Sequence, residues 1–257
     1  MISKNRIKYV HSLEMKKYRK KEGVFVAEGH KLVGDLLESG SFACKYLMAT
    51  DEWLEQNKNL LEESLKHVEM NQVTEDELRK VSFQEKPQQV LAIFEQPEYV
   101  VDVNEEANKN LCLVLDDVQN PGNMGTIVRM ADWFGIEHVF CSIGCADIYN
   151  PKTVQATMGA MARVQVHYVD IPEMLKNLDK KIPVYGTFLD GENLYQKELE
   201  NRGLIVMGNE GKGVSEVVES FVNERLFIPN YPEGRKTSES LNVAIATAII
   251  CAEFRRR

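Results

Sequence analysis

Three stretches of this chain place glycines and polar side chains directly after a strand-like apolar run. In DDVQNPGNMGTIVRMADWFG, residues 116–135, the tetrad Asn120-Pro121-Gly122-Asn123 leads into a helix predicted over 123–134. Glycine and asparagine make a tight turn there, and a helix start presents N–H groups suited to an anion or a polar ligand. Met124, Ile127, Val128, Ala131 and Phe134 share one helical stripe, which leaves Arg129 off the core face. By itself this is either a ligand-facing turn or a well-capped helix with a surface arginine. In LIVMGNEGKGVSEVV, residues 204–218, a buried strand empties into Gly208-Asn209-Glu210-Gly211-Lys212-Gly213 before a helix predicted over 214–221. So many glycines in one turn suggest a ligand lying against the main chain. Glu210 is then either delivered to a crevice or left as a surface acid. In RLFIPNYPEGRKTSESLNVAIATAIICAEF, residues 225–254, a strand ends at Pro229, a polar loop follows, and a helix is predicted over 240–254. Leu241, Val243, Ala244, Ile245, Ala248, Ile249 and Ile250 leave that helix little polar face, so it needs burial against a sheet or a second subunit. Ser238 or Ser240 would serve as its N-cap, and Asn242 in its first turn needs a polar partner.

Two common nucleotide sites are excluded. Gly208 stands three rather than five residues before Gly211, and Lys212 is followed by glycine, so the spacing of a phosphate loop is absent. No G-x-G-x-x-G follows the first strand of the carboxyl-terminal part, which removes the usual dinucleotide fingerprint.

The elements that must position these turns alternate strictly. LCLVL, HVFCS, RVQVHYV, PVYGTFL, LIVMG and RLFIP read as strands with helices between them, including a helical stretch around 151–162. That alternation predicts a parallel sheet covered on both faces, with its ligand site at the carboxyl ends of the strands. The polar, acidic stretch QPEYVVDVNEEANKN, residues 96–110, reads as a linker. Before it, GVFVAEG, CKYLMAT and QVLAIFE read as strands and KLVGDLLESG as a helix, which makes a smaller α/β unit. The expected division is therefore residues 1–95, a linker at 96–108, and residues 109–257.

The 257 residues are 44% hydrophobic and 27% charged, ample for a sizeable core. No apolar run approaches the roughly 18 residues of a membrane span, and the start lacks a secretory h-region, so a cytoplasmic protein is expected. Five cysteines, three of them within apolar runs, predict free thiols, and C-x3-C at Cys141 and Cys145 without a second pair assigns no metal. A net charge of −8 argues mildly against a nucleic-acid partner, but its distribution matters more. Residues 1–21 carry eight basic side chains against the single acid Glu14, and the chain closes on Arg255, Arg256 and Arg257. Such runs are usually solvated helix faces and frayed tails.

Together, NPGNMGTIVR, IVMGNEGKG and FIP with SLNVAIA resemble, in order and placement, the three signature motifs of the SpoU/TrmH family of RNA 2′-O-ribose methyltransferases, within the SPOUT superfamily. The resemblance spans residues 109–257, and YRKKEGVFVAEGHKLVGDLL with PQQVLAIF is similar to the substrate-binding domain that two-domain members carry in front. It implies an α/β fold with a parallel sheet whose carboxyl-terminal segment forms a trefoil knot, S-adenosylmethionine as cofactor, and a homodimer. The implied polar set is Asn123 and Arg129 from the first motif, Glu210 from the second, and Ser240 and Asn242 from the third. Implied cofactor contacts are Thr187, Met207, Gly208, Asn209, Gly211, Ile228, Pro229 and Leu241.

Methyl transfer to a ribose 2′-hydroxyl needs an in-line nucleophile, a route for its proton, and tolerance of a sulfonium leaving group. Arg129 suits a substrate phosphate and a developing alkoxide, though a guanidinium is an implausible neutral base. Glu210 stays open as a proton acceptor, while Asn123, Ser240 and Asn242 would orient the donor, the arginine and the loops. Under this resemblance Lys16, Lys17, Arg19, Lys20 and Lys21 become an expected RNA contact, with ribosomal RNA favoured over transfer RNA. The loop 231–239 is longer than the family's usual connection, and its Arg235 and Lys236 could add phosphate contacts. The competing reading is a non-catalytic RNA-binding or ribosome-assembly protein on the same fold. A superfamily enzyme acting on a base nitrogen comes after it, and a nucleotide-dependent hydrolase trails for want of a phosphate loop.

Overall fold

The computed structural model describes residues 2–64, 68–232, 235, 238 and 240–256. Lys236 and Arg257 lie outside the described residues. Two compact units emerge, one made of Met1–Glu98 with Asp147–Arg163, the other of Tyr99–Ala146 with Val164–Arg257.

In the first unit, helices α1 (Lys4–Ser12) and α2 (Lys16–Glu22) precede β1 (Val24–Glu28), whose five residues are all buried. Then come α3 (His30–Ser39), β2 (Cys44–Ala49), α4 (Asp51–Gln56), α5 (Lys58–Ser64), β3 (Glu69–Gln72), α6 (Glu75–Arg79) and β4 (Val90–Glu95). The sheet order is β1-β4-β2-β3, with β4 antiparallel to both its neighbours and β3 parallel to β2. Strand β3, whose only apolar residue is the half-exposed Met70, carries no apolar alternation and gives a hydrophobic pattern nothing to detect.

The segment Asp147–Arg163 holds α9 (Pro151–Thr157) and a single 3₁₀ turn at Ala160–Ala162. Val154 and Thr157 are buried, the Tyr149 ring lies 5.0 Å from that of Phe25, and Gln84 Nε2 donates to Gln155 Oε1 at 2.9 Å. The strongest tie is Arg19, whose guanidinium pairs with Asp147 at 2.6 Å and donates to the carbonyls of Leu13 and Glu14. Arg19 is only 1% exposed. This corrects its expected place on an RNA-binding surface: α2 turns this one cation inward, where a carboxylate and two carbonyls engage its terminal nitrogens, and leaves Lys16, Lys17, Lys20 and Lys21 outside. Arg6 is likewise engaged, with Glu69 at 2.8 Å and over the Tyr46 ring.

The second unit contains α7 (Val103–Lys109), β5 (Leu111–Leu115), α8 (Pro121–Trp133), β6 (His138–Cys141), β7 (Gln165–Tyr168), α10 (Ile171–Lys176), β8 (Val184–Asn193), β9 (Gly203–Met207), α11 (Glu216–Glu219), β10 (Glu224–Phe227) and α12 (Val243–Arg256). Its six strands are parallel in the order β10-β8-β9-β5-β6-β7. The α/β alternation read from the sequence is thus present. Cys112, Val114, Phe140, Val184, Leu204 and Val206 pack on one face with Ala107, Ile171, Leu175 and Val218. Elsewhere α8 lies against α12, and Tyr185 meets Phe254 edge-on at 4.8 Å.

Half of the expected linker is folded. Asp102 caps α7 by accepting from Asn104 N and Glu105 N, and Ala107 enters the core with Val103 packed against it half-buried, so two small apolar residues anchor an otherwise polar helix. The terminal arginines are also structural: Arg255 donates to the carbonyls of Phe134 and Gly135 at 2.8 and 3.0 Å, closing the end of α8, and Arg256 pairs with Glu253.

Two predictions follow from packing. Asp147→Ala strands the buried Arg19 charge and should cost about 3–5 kcal/mol in urea unfolding, whereas Lys17→Ala on the same helix should stay within about 0.5 kcal/mol. On β6 and β7, His138 Nδ1 and His167 Nε2 lie 3.1 Å apart. Burial, then His138, pushes the His167 imidazole from 6.5 down to about 4. The unfolded chain therefore takes up this proton first as pH falls, so stability should decline from pH 6.5 and level off below about 4. Thermal melts at pH 7.5 and 5 should differ less for His167→Gln than for the wild type.

Candidate functional site

The central strands β5 and β9 are paired neighbours whose carboxyl ends meet: Asp116 N donates to Met207 O at 2.9 Å. Beyond β5, Asn120 caps α8, its Oδ1 accepting from Gly122 N at 2.8 Å and Asn123 N at 3.1 Å, with Pro121 in the first position where no N–H is needed. Met124 N donates to Asn120 O. The first-turn amides expected to await a ligand are therefore already taken.

The anion at this helix start is the protein's own Glu210. Its Oε1 accepts from Asn120 N at 3.1 Å and Asn123 Nδ2 at 3.0 Å, and its Oε2 from Gln119 N at 3.3 Å. Burial pushes the Glu210 carboxyl up. The hydrogen bonds from Asn123, its own backbone, Asn120 and Gln119 outweigh that and hold it below the usual carboxylate range. Glu210 thereby clamps the second loop to the first, with both of its oxygens engaged and its basicity lowered.

Asn123 passes the constraint on. Its Nδ2 faces Glu210, so its Oδ1 accepts from Asn242 Nδ2 at 3.0 Å. Asn242 Oδ1 is then left to accept from Ala244 N at 3.0 Å and Ile245 N at 3.3 Å, which makes Asn242 the cap of α12 in place of the expected serines. The partner that Asn242 needed is Asn123. The helix accordingly starts at Val243, three residues later than the apolar pattern suggested.

The glycine turn after β9 is closed on itself. Asn209 and Gly213 exchange both backbone hydrogen bonds, at 2.8 and 2.9 Å, and Asn209 Oδ1 accepts from Gly211 N and Lys212 N. A Cβ on Gly208 would come within 2.2 Å of the Gly213 main chain, so protein backbone, not a ligand, demands glycine there. At Gly211 an added Cβ would meet nothing nearer than Asn209 Oδ1 at 3.7 Å. Asn209 Nδ2 donates to Asp117 O at 2.7 Å, a second tie to the first loop.

Of the residues expected to hold a cofactor, Met207 and Gly208 are buried at the end of β9. The register Gly186↔Val206 puts Thr187 level with Met207. Ile228 and Pro229 follow β10, half-buried, while Gly211 is exposed and Leu241 is 50% exposed. Arg129 projects from α8 into solvent and has no hydrogen-bond or ion-pair partner among the described residues. Ser240 is exposed just ahead of α12, and Arg235 is exposed in the loop after β10. Asn120 was visible in the sequence only as part of a tight turn, and Asp116 carried no signal. Asn before a helix-starting Pro is a recognisable cap signal, but nothing marked Asp116 as the buried carboxylate that accepts from Ser215 N at 2.7 Å.

Comparison with known proteins gives a consistent neighbourhood. Residues 110–252 match the model of the SpoU rRNA Methylase family, and residues 4–92 that of the MRM3-like substrate binding domain. The chain is 31% identical, over 97% of its length and 96% of the relative's, to the 23S rRNA (guanosine(2553)-2′-O)-methyltransferase RlmP of Bacillus subtilis strain 168. Among solved structures, one assigned to the TrmH family of RNA methyltransferases, from Porphyromonas gingivalis, is 41% identical with a TM-score of 0.84 over 100% of this chain and 99% of that one. The AdoMet-bound rRNA methyltransferase of Sinorhizobium meliloti is 28% identical with a TM-score of 0.86 over 100% and 96%.

The clamp can be tested without substrate. Glu210→Gln turns an NH2 group toward a set of N–H donors and should lower stability by about 1–3 kcal/mol in urea unfolding, whereas Glu216→Gln on α11 should not.

Proposed function

Because the chain belongs to the SpoU rRNA methylase family, we propose that it transfers the methyl group of S-adenosylmethionine to a ribose 2′-hydroxyl of structured RNA, ribosomal RNA in preference to transfer RNA. The observation that carries this reading is the convergence of three strand-end loops through Glu210, Asn123 and Asn242, beside an arginine that the fold leaves unengaged. The residues present fit the cofactor: Ile228, Pro229 and the half-exposed Leu241 offer apolar walls for an adenine, and Gly211, exposed and without a Cβ, leaves room beside them. Thr187, Met207, Gly208 and Asn209 complete the set assigned to it. When bound, S-adenosylmethionine supplies an electrophilic methyl group on a sulfonium.

The chain's own part is positioning and electrostatics. Arg129 holds a substrate phosphate and steadies the charge that develops on the 2′-oxygen, a role for which a permanently charged guanidinium is suited. Glu210, Asn123 and Asn242 fix the loops, and Ser240, exposed beside them, contacts the substrate side of the crevice. Lys16, Lys17, Lys20 and Lys21 on α2 are the RNA-facing cations of the first unit. The reading further includes the trefoil knot in the carboxyl-terminal segment, a homodimer and a cytoplasmic setting. The 54% exposed Ile245 on α12 supplies an apolar contact on which a second copy closes.

The test is to incubate wild type and Arg129→Ala with labelled S-adenosylmethionine and RNA from a methylation-deficient strain, then map the label to nucleosides. Label on ribose is expected, with a loss on the order of 10²–10³-fold in the variant. Label on a base nitrogen would replace the ribose assignment. No transfer together with no donor binding by calorimetry would leave the non-catalytic RNA-binding protein in its place.

A further inference from the structure

The outward stripe of α8 ends in a tryptophan that stands mostly in solvent. Gly122, Thr126, Arg129 and Trp133 recur at spacings of four, three and four, and so share one face of the helix. Trp133 is 80% exposed, while the chain's other tryptophan, Trp53, is fully buried. Arg129 precedes Trp133 by one turn, about 5.4 Å along the axis, and helical side chains lean toward the amino terminus, which inclines the indole toward the arginine. A solvated indole beside an unengaged guanidinium is the pairing by which proteins hold unpaired RNA, the cation on a phosphate and the ring under a base. An apolar protein surface would match the ring but leave the cation without an anion.

We propose that Arg129 and Trp133 form a two-point clamp on single-stranded RNA, Arg129 taking a phosphate and Trp133 stacking on the base of a nucleotide adjacent to the methylated one. This rests on the ribose methyltransferase reading and adds that the target ribose lies in a loop or other unpaired segment. The small residues earlier on the stripe, Gly122 and Thr126, leave room for the strand to continue toward Asn123 and the loops that Glu210 holds.

Because Trp53 is buried, a response of indole emission to RNA reports on Trp133. The full chain is titrated with a short unpaired oligoribonucleotide of mixed sequence and with the same sequence as a duplex. Quenching is expected with the single strand and not with the duplex. In steady-state methyl transfer, Trp133→Ala should raise KM for RNA on the order of tenfold with kcat kept, and Trp133→Phe, whose ring still stacks, should restore most of it. The clamp is overturned if the wild type transfers methyl groups to RNA while Trp133→Ala keeps its KM and emission ignores RNA. It is equally overturned if emission shifts with protein concentration alone, which assigns the indole to a second copy. Quenching by single-stranded RNA without any methyl transfer would uphold the clamp and sink the transferase reading instead.

Discussion

An ionised carboxylate can only accept hydrogen bonds, and that constraint on Glu210 organises the carboxyl ends of the sheet. Its oxygens require donors, so Asn123 must present its NH2 group; the carbonyl end of Asn123 must then receive a donor, so Asn242 presents its own NH2; and the remaining oxygen of Asn242 is free only for the amides that open α12. One charge thereby sets the orientation of two amides and the starting point of a helix. Each of the three residues comes from a different loop, which is why loops far apart in sequence share one geometry. The lowered basicity of Glu210 is a by-product of the same arrangement.

Arg129 is the complement of that network. Everything polar at the heart of the three loops is satisfied internally, whereas this side chain, six residues beyond Asn123 on the same helix, is left in solvent. Holding a guanidinium free costs a fold nothing at the surface, but aiming it requires the helix beneath it to be immovable. The cap at Asn120, the carboxylate at its first turn and Arg255 on the two carbonyls just past its end hold α8 at both ends.

Much of this was legible in the residues. Alternating apolar runs and helical stripes announced a parallel sheet, and the glycine- and asparagine-rich turns marked the correct strand ends. Asn242 was recognisable as needing a partner because a polar group in an apolar helix must find one, but which partner depends on a contact across 119 positions that no periodicity encodes. The direction of a side chain within a basic run was equally hidden: Arg19 and Lys20 are neighbours of like charge, yet one is buried and one exposed, because only Arg19 meets Asp147 and two carbonyls. Helix α7 was read as linker since one buried alanine leaves too faint a stripe. The serines near 240 looked like better caps than Asn242 only while Asn123 was out of view.

The segment Asp147–Arg163 has a consequence for how the chain is made. The amino-terminal unit lacks its α9 and its Asp147 until the ribosome has gone well past Glu98, so Arg19 waits 128 residues for its counter-ion while β5, α8 and β6 emerge in between. Domains usually fold in the order in which they leave the ribosome. Here the first unit is completed only at Arg163, after β5, α8 and β6 of the second have emerged, so the second unit's leading strands wait unfinished while the first one closes.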